Sequence, residues 1–223
     1  MTTPPDDSAR ESVASHRAPP GPAQRMGMRV GAGTLIVAAL AVGGAIADWR
    51  PVNGGGAEAR ERPFVQVGRF GETVSTRVFD ATVLDVRGAA VVDSGGQRYD
   101  TAGIWLVLRV RLATRTEATT IGYAAVRDHR GREFRATTRF SQAMVGGGRV
   151  LQPGIPVEGD VAVELPRDAA ATRLTARFAQ QQVDLRMDAL AEVSLPAVAP
   201  ARVDEWAAAP APVALATPSV VAP

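Results

Sequence analysis

From Gly103 to Leu112 the chain reads GIWLVLRVRL, with Ile104, Leu106, Leu108, Val110 and Leu112 on one parity and Trp105, Val107, Arg109 and Arg111 on the other. A period of two sends alternate side chains to opposite faces of a strand. Arginines on the second parity predict a strand with one dry and one wet side. The same reading applies to VAVELP, with Val161, Val163 and Leu165 inward, Glu164 outward and a stop at Pro166. TRLTARF places Leu174, Ala176 and Phe178 opposite Arg173, Thr175 and Arg177. VDLRM sets Val183, Leu185 and Met187 against Asp184 and Arg186, and AEVSLP ends the series with Val193 and Leu195. Upstream, TVSTRVFDATVLDV is β-rich, but its parity breaks, which predicts a bulge near Phe79 to Ala81.

Turn chemistry punctuates these runs at Asp93-Ser94-Gly95-Gly96, Asp128-His129-Arg130-Gly131, Gly146-Gly147-Gly148 and Pro153-Gly154. Asp first and Gly fourth in DHRG is the preference of a type I turn, here joining IGYAAV to REFRAT. About seven short strands with no convincing helix predict an all-β fold, an immunoglobulin-like antiparallel β-sandwich over residues 62–196.

The ends of the chain follow different patterns. Residues 1–29 are rich in Pro, Ser, Asp, Arg and Gly without an apolar period, and are expected to be a disordered tail. Val30 to Ala47 then carries no charge, and as a helix that stretch rises about 27 Å, enough to span a bilayer core. Two readings stand. In the first, residues 30–47 are a retained transmembrane signal anchor built on Val30, Leu35, Ile36, Val37, Leu40, Val42 and Ile46, with Trp49 at the interface. In the second, Arg29 and the Ala45-Ile46-Ala47 pattern mark a signal peptide cleaved after Ala47, giving a secreted protein, and Met26 or Met28 is then an alternative start. The long preceding tail favours the anchor, with the main domain extracytoplasmic. Residues 48–61 read as a flexible linker and 197–223 as a disordered Ala/Pro-rich tail.

Composition removes several chemistries. The chain has no cysteine, so it has no disulfides, thiolate nucleophiles or Cys-rich zinc sites. All 25 basic residues are arginine, set against 23 acidic ones for a net charge of +2, which predicts no nucleic-acid partner. Between Arg109 and Arg149, however, nine arginines face three acids. That local excess makes Arg109, Arg111 and Arg135 candidates for binding an anionic lipid or envelope polymer. Of the two histidines, His16 lies in the tail and His129 at a turn tip, a poor basis for a catalytic triad. Asp184 and Asp188 read as surface charges rather than an acid/base pair, and Asp93 and Asp100 lack the spacing of a calcium loop. Gly146 to Gly148 has no Lys-Ser/Thr after it and reads as a flexible hairpin loop, not a phosphate cradle. No catalytic, cofactor or metal residue is predicted, and the chain is expected to be a non-enzymatic module whose protein partner the residues do not name.

The succession GIWLVLRV, VRDHRGREF and LQPGIPVEGDVAVELP resembles an actinobacterial domain family of unknown function related to the secreted mycobacterial immunoprotective antigen. The likeness runs from about Val65 to Leu195. It implies an immunoglobulin-like sandwich behind a signal or lipid anchor, with no enzyme activity and no catalytic residues to carry over. RLATRTEATT lacks the asparagine that this family places in the corresponding turn, so the likeness says nothing about that loop. Without a cysteine to lipidate, the anchor implied here is the apolar helix.

Overall fold

The computed structural model describes residues 62–140, 143–181, 185–186 and 188–222. All of them belong to one compact unit, Gly55–Pro223. The expected tail, anchor and linker over 1–61, including Val30 through Ile46 and Trp49, lie outside the described residues, as do Val183, Asp184 and Met187. Among the described residues no helix is long and apolar enough to cross a membrane.

Two sheets face each other. One runs in the order β1 (Phe64–Arg69), β11 (Ala189–Ser194), β10 (Leu174–Ala179), β6 (Tyr123–Asp128), β7 (Glu133–Arg135). The other runs β12 (Val213–Ala214), β3 (Phe79–Ser94), β4 (Gln97–Thr114), β9 (Val157–Leu165), β13 (Ser219–Val220), with β2 (Thr73–Ser75) also paired to β3. A two-stranded ribbon joins β5 (Thr119–Thr120) to β8 (Val150–Leu151). Most pairs are antiparallel, but β1 runs parallel to β11 and β12 parallel to β3. The molecule is thus a β-sandwich with two parallel edge pairings that alternation alone does not reveal.

The predicted inner parities meet in the core. Ile104, Leu106, Leu108, Val110 and Leu112 of β4 pack with Val161, Val163 and Leu165 of β9 against Leu174, Ala176, Phe178 and Val193 of the facing sheet. The parity break in β3 falls later than predicted, between Val83 and Asp85, with a second between Ala89 and Val91. The turns follow their glycines. Gly95 and Gly96 have φ of 63° and 86°, which suits the tight β3–β4 hairpin, and the Asp93 carboxylate accepts the Gly96 N–H at 2.9 Å.

Three expectations need correction. The outer face of β4 is not wet along its length: Trp105 and Val107 are fully buried with Ala89, Val92, Phe140 and Ala162 in a second apolar cluster, which Val213 and Leu215 cover. The Gly146 loop is anchored, because Met144 and Val145 are buried in the main core. Most consequentially, residues 197–222 are folded. Helix α1 (Arg167–Ala170) is a single turn, but α2 (Pro200–Ala208) begins on a proline, whose missing N–H costs nothing at a helix start, and buries Val203 and Trp206. Those two residues are three apart and share one face. Beyond α2 the chain pairs with β3 through β12, crosses the outer face of the sheet and pairs with β9 through β13. The sandwich therefore extends past residue 196.

Candidate functional site

The strap formed by residues 213–220 leaves part of the β3–β4–β9 sheet open. β3 and β4 pair Asp80 with Ala113 and Thr82 with Arg111, and β2 adds Thr73 opposite Thr82. Because Ala81 and Val83 point into the core, Asp80 and Thr82 point outward. With Arg115 and Pro156 they line an open groove of about 400 Å³. That volume lies within the range of small-ligand clefts, about 300–1,000 Å³.

The polar groups of the groove are partly committed. Thr73 Oγ1 and Thr82 Oγ1 share a hydrogen bond of 2.8 Å. Arg111 donates to Glu158 Oε1 through Nε at 2.9 Å and through NH2 at 2.7 Å. Arg115 donates to the Thr76 carbonyl at 3.1 Å and lies 3.9 Å from Asp80 Oδ1, which accepts no hydrogen bond. Two guanidinium groups thus face two carboxylates, and the groove is close to neutral. It retains hydroxyl, carboxylate and N–H functions beside the small Ala113 and the apolar Pro156.

The three arginines singled out by sequence are not brought together. Arg109 and Arg111 stand on the outer face of β4, whereas Arg135 is on β7 of the other sheet, opposite Ala125 and over the Tyr123 ring at 5.6 Å. The excess of arginine from 109 to 149 is also cancelled in space. Arg109 reaches Glu158 and Asp160, Arg111 reaches Glu158, Arg115 reaches Asp80, and Arg127 reaches Glu192. Arg130 and Arg132 reach Asp168, and Arg139 reaches Glu164. All of these acids lie outside the Arg109–Arg149 window, on other strands or in α1, so a linear count overstates the field.

Asp160 is the most enclosed of these groups. Its side chain is fully buried, and Oδ2 accepts from Arg87 NH2 at 2.8 Å and from the Ala216 N–H at 2.8 Å. Arg109 NH1 lies 3.6 Å from Oδ1. This carboxylate fastens the C-terminal strap to the sheet it crosses, and a cavity of only about 40 Å³ remains beside it, lined by Phe140 and Leu215.

Other acids single out as structural. Asp188 is buried, not a surface charge: Oδ1 accepts the Ala189 N–H and Oδ2 the Gln181 N–H, both at 2.7 Å. Asp128 orders the β6–β7 turn by accepting the N–H groups of Arg130 and Arg132 at 2.9 Å and the Arg132 Nε at 2.7 Å. Burial works to raise its pKa, yet those hydrogen bonds outweigh it and hold the carboxyl below its ordinary value. His129 is exposed at the tip of that turn. Among the described residues no group of three or more His, Asp or Glu side chains is placed to hold a metal ion.

On the outer face of the other sheet, Tyr123 is buried with Ala125, Ala179 and Leu190. Burial first, then a hydrogen bond to Glu133 and that residue's charge, raise the phenol far above its ordinary pKa against the opposing charges of Arg177 and Arg135. A raised phenol contributes stability at neutral pH that is lost as pH climbs through the folded value. In a Tyr99→Phe variant, whose remaining tyrosine is Tyr123, phenolate absorbance should rise only together with alkaline unfolding. Phenolate appearing near pH 10 with the fold intact would contradict the burial.

The fold and groove define a β-sandwich protein with a polar surface cleft. No family model and no curated protein matches the chain. Solved structures similar to it include an uncharacterized β-sandwich protein from Clostridium difficile, at 7% identity over 60% of this chain and 96% of that one, with a TM-score of 0.41. The yjhA protein of Bacillus subtilis is 17% identical over 57% of this chain and 99% of its own, TM-score 0.43. The secreted protein MPT63 of Mycobacterium tuberculosis is 15% identical over 59% of this chain and 98% of its own, TM-score 0.42.

Proposed function

We propose that the chain is a membrane-anchored, extracytoplasmic, non-enzymatic binding module of the bacterial cell envelope. Its sandwich is immunoglobulin-like and akin to the actinobacterial family that its motifs resemble. The observation that carries the binding role is the groove between Asp80, Thr82 and Arg111. Its near-neutral charge and mix of hydroxyl, carboxylate and guanidinium groups suit a polyhydroxylated segment of an envelope polymer better than an anionic headgroup, which needs an uncompensated cationic field. The uncharged run Val30 to Ala47 supports the anchor. Cleavage after Ala47 is the second reading, favoured by Ala45-Ile46-Ala47, and would release the same module as a secreted protein.

Co-sedimentation with purified Gram-positive cell wall tests the groove. Wild-type protein is expected to bind. The double variant Thr73→Val, Arg111→Ala should bind about tenfold more weakly, the equivalent of about 1.4 kcal/mol. Equal binding by both proteins would remove the groove from the account. Binding instead to anionic vesicles, abolished when Arg109, Arg111 and Arg135 are changed to Gln, would restore the charged-surface reading.

A further inference from the structure

Sheet edges invite pairing, and proteins blunt them with short strands, charge or covering segments. In this fold β2 and β12 cover the open side of β3, β13 covers β9, and β7 is three residues long with Glu133 and Arg135. β1 is protected only at its ends, by the Arg77 guanidinium 4.4 Å over the Phe64 ring and by the charged Arg69, and no described strand pairs with its open side. Among the described residues seven large apolar side chains are exposed, and four of them, Phe64, Val65, Val67 and Phe70, fall within seven positions at this edge. Val67 is 71% exposed.

The backbone register of β1 determines what the edge offers. Phe64 N–H donates to the Asp188 carbonyl and Phe70 N–H to that of Ser194. In a parallel ladder alternate residues bond to the same neighbour, so Phe64, Gln66 and Gly68 turn their backbone groups toward β11. Val65, Val67 and Arg69 turn theirs to the open side. Arg69 is already occupied, its N–H by Glu72 Oε2 and its carbonyl by the Glu72 N–H, both at 3.0 Å. Val65 and Val67 therefore present two donors and two acceptors to a further strand.

We infer that β1 pairs antiparallel with β1 of a second copy of this chain across a two-fold axis at Gln66. In this register Val65 and Val67 of one copy exchange N–H···O bonds with Val67 and Val65 of the other, using every open backbone group. The side chains are compatible: Val65 meets Val67, and the Phe64 ring, with the Arg77 guanidinium 4.4 Å over it, lies across from Gly68, whose own face is filled by Val74 of the same copy. Gln66 meets Gln66, and no two like charges oppose each other along the strand. Four main-chain bonds and a few apolar contacts make a small interface, so the association is weak in solution and strengthens when both copies share one surface.

The natural absence of cysteine makes the test direct. Residues facing each other at a non-hydrogen-bonded antiparallel position have Cα atoms about 4.5 Å apart, within the range a disulfide bridges. The full chain carrying Gln66→Cys, recovered from the expressing host and mildly oxidised, should run at twice its mass on a non-reducing gel. The same chain carrying Val150→Cys, an exposed apolar position elsewhere, should not. Adding Val67→Pro to Gln66→Cys removes an N–H that points away from β11, so the fold keeps its ladder while the dimer band is lost. Val67→Lys, which leaves the backbone intact, should give the same loss if the proline variant melts early. A Gln66→Cys chain that stays monomeric, crosslinks to another protein, or crosslinks as well with Val67→Lys overturns the proposal.

Discussion

Replacing Trp206 by alanine is expected to destabilise the sandwich by about 3 kcal/mol, toward the lower end for truncating a buried aromatic because the ring is not fully enclosed. Trp206 sits on α2 and packs onto β3 where Gly88 leaves room for it. A Cβ built on Gly88 would lie 2.0 Å from the Trp206 ring. The helix and the glycine are therefore two halves of one contact. Gly88→Val in the wild-type background should cost about 1–3 kcal/mol through overpacking and should cost less once Trp206 is alanine. Urea denaturation of the two single variants and the double variant measures the coupling. Strict additivity would mean that α2 does not hold the ring where the structure places it.

The second large effect belongs to Asp160. Asp160→Ala leaves Arg87 and the Ala216 N–H without their shared acceptor and Arg109 without a nearby counter-charge, at a cost of about 2 kcal/mol, moderated because both arginines reach solvent. The loss should be local first. Amide exchange of Leu215 and Ala216 should accelerate, whereas β10 and β11, in the other sheet, should keep their protection until global unfolding. Uniform acceleration across both sheets would show that the strap is no separable element.

Much of this fold is legible in the residues, for reasons the structure makes plain. β4, β9 and β10 each bury one parity against the facing sheet, so the hydrophobic pattern is a direct record of the core. The DHRG turn follows from local chemistry, with Asp128 and Gly131 in their expected places. What escapes is whatever depends on distant segments. Trp105 and Val107 read as a wetted face because their cover, Val213 and Leu215, comes from more than a hundred positions downstream. The C-terminal residues look like a disordered tail by composition, although Pro200, Val203 and Trp206 carry the start signal and spacing of a short helix. The groove is half legible in the sequence: Arg111 stands on the clean alternation of β4, whereas Asp80 and Thr82 lie where the sequence predicts a bulge, although the structure keeps Phe79, Ala81 and Val83 in regular alternation and breaks register only after Val83. Charge misled in the same way, since the acids that neutralise Arg109, Arg111 and Arg127 arrive on other strands.

The proposal that this sandwich lies outside the cell, held by the uncharged run Val30 to Ala47, can be tested before any ligand is known. A carboxy-terminally tagged full chain expressed in a Gram-positive host should stay with the membrane fraction. Its intact mass should retain Val30 to Ala47, and protease added to whole cells should reach the tag. Soluble protein in the cytosol, protected from external protease, would contradict the account.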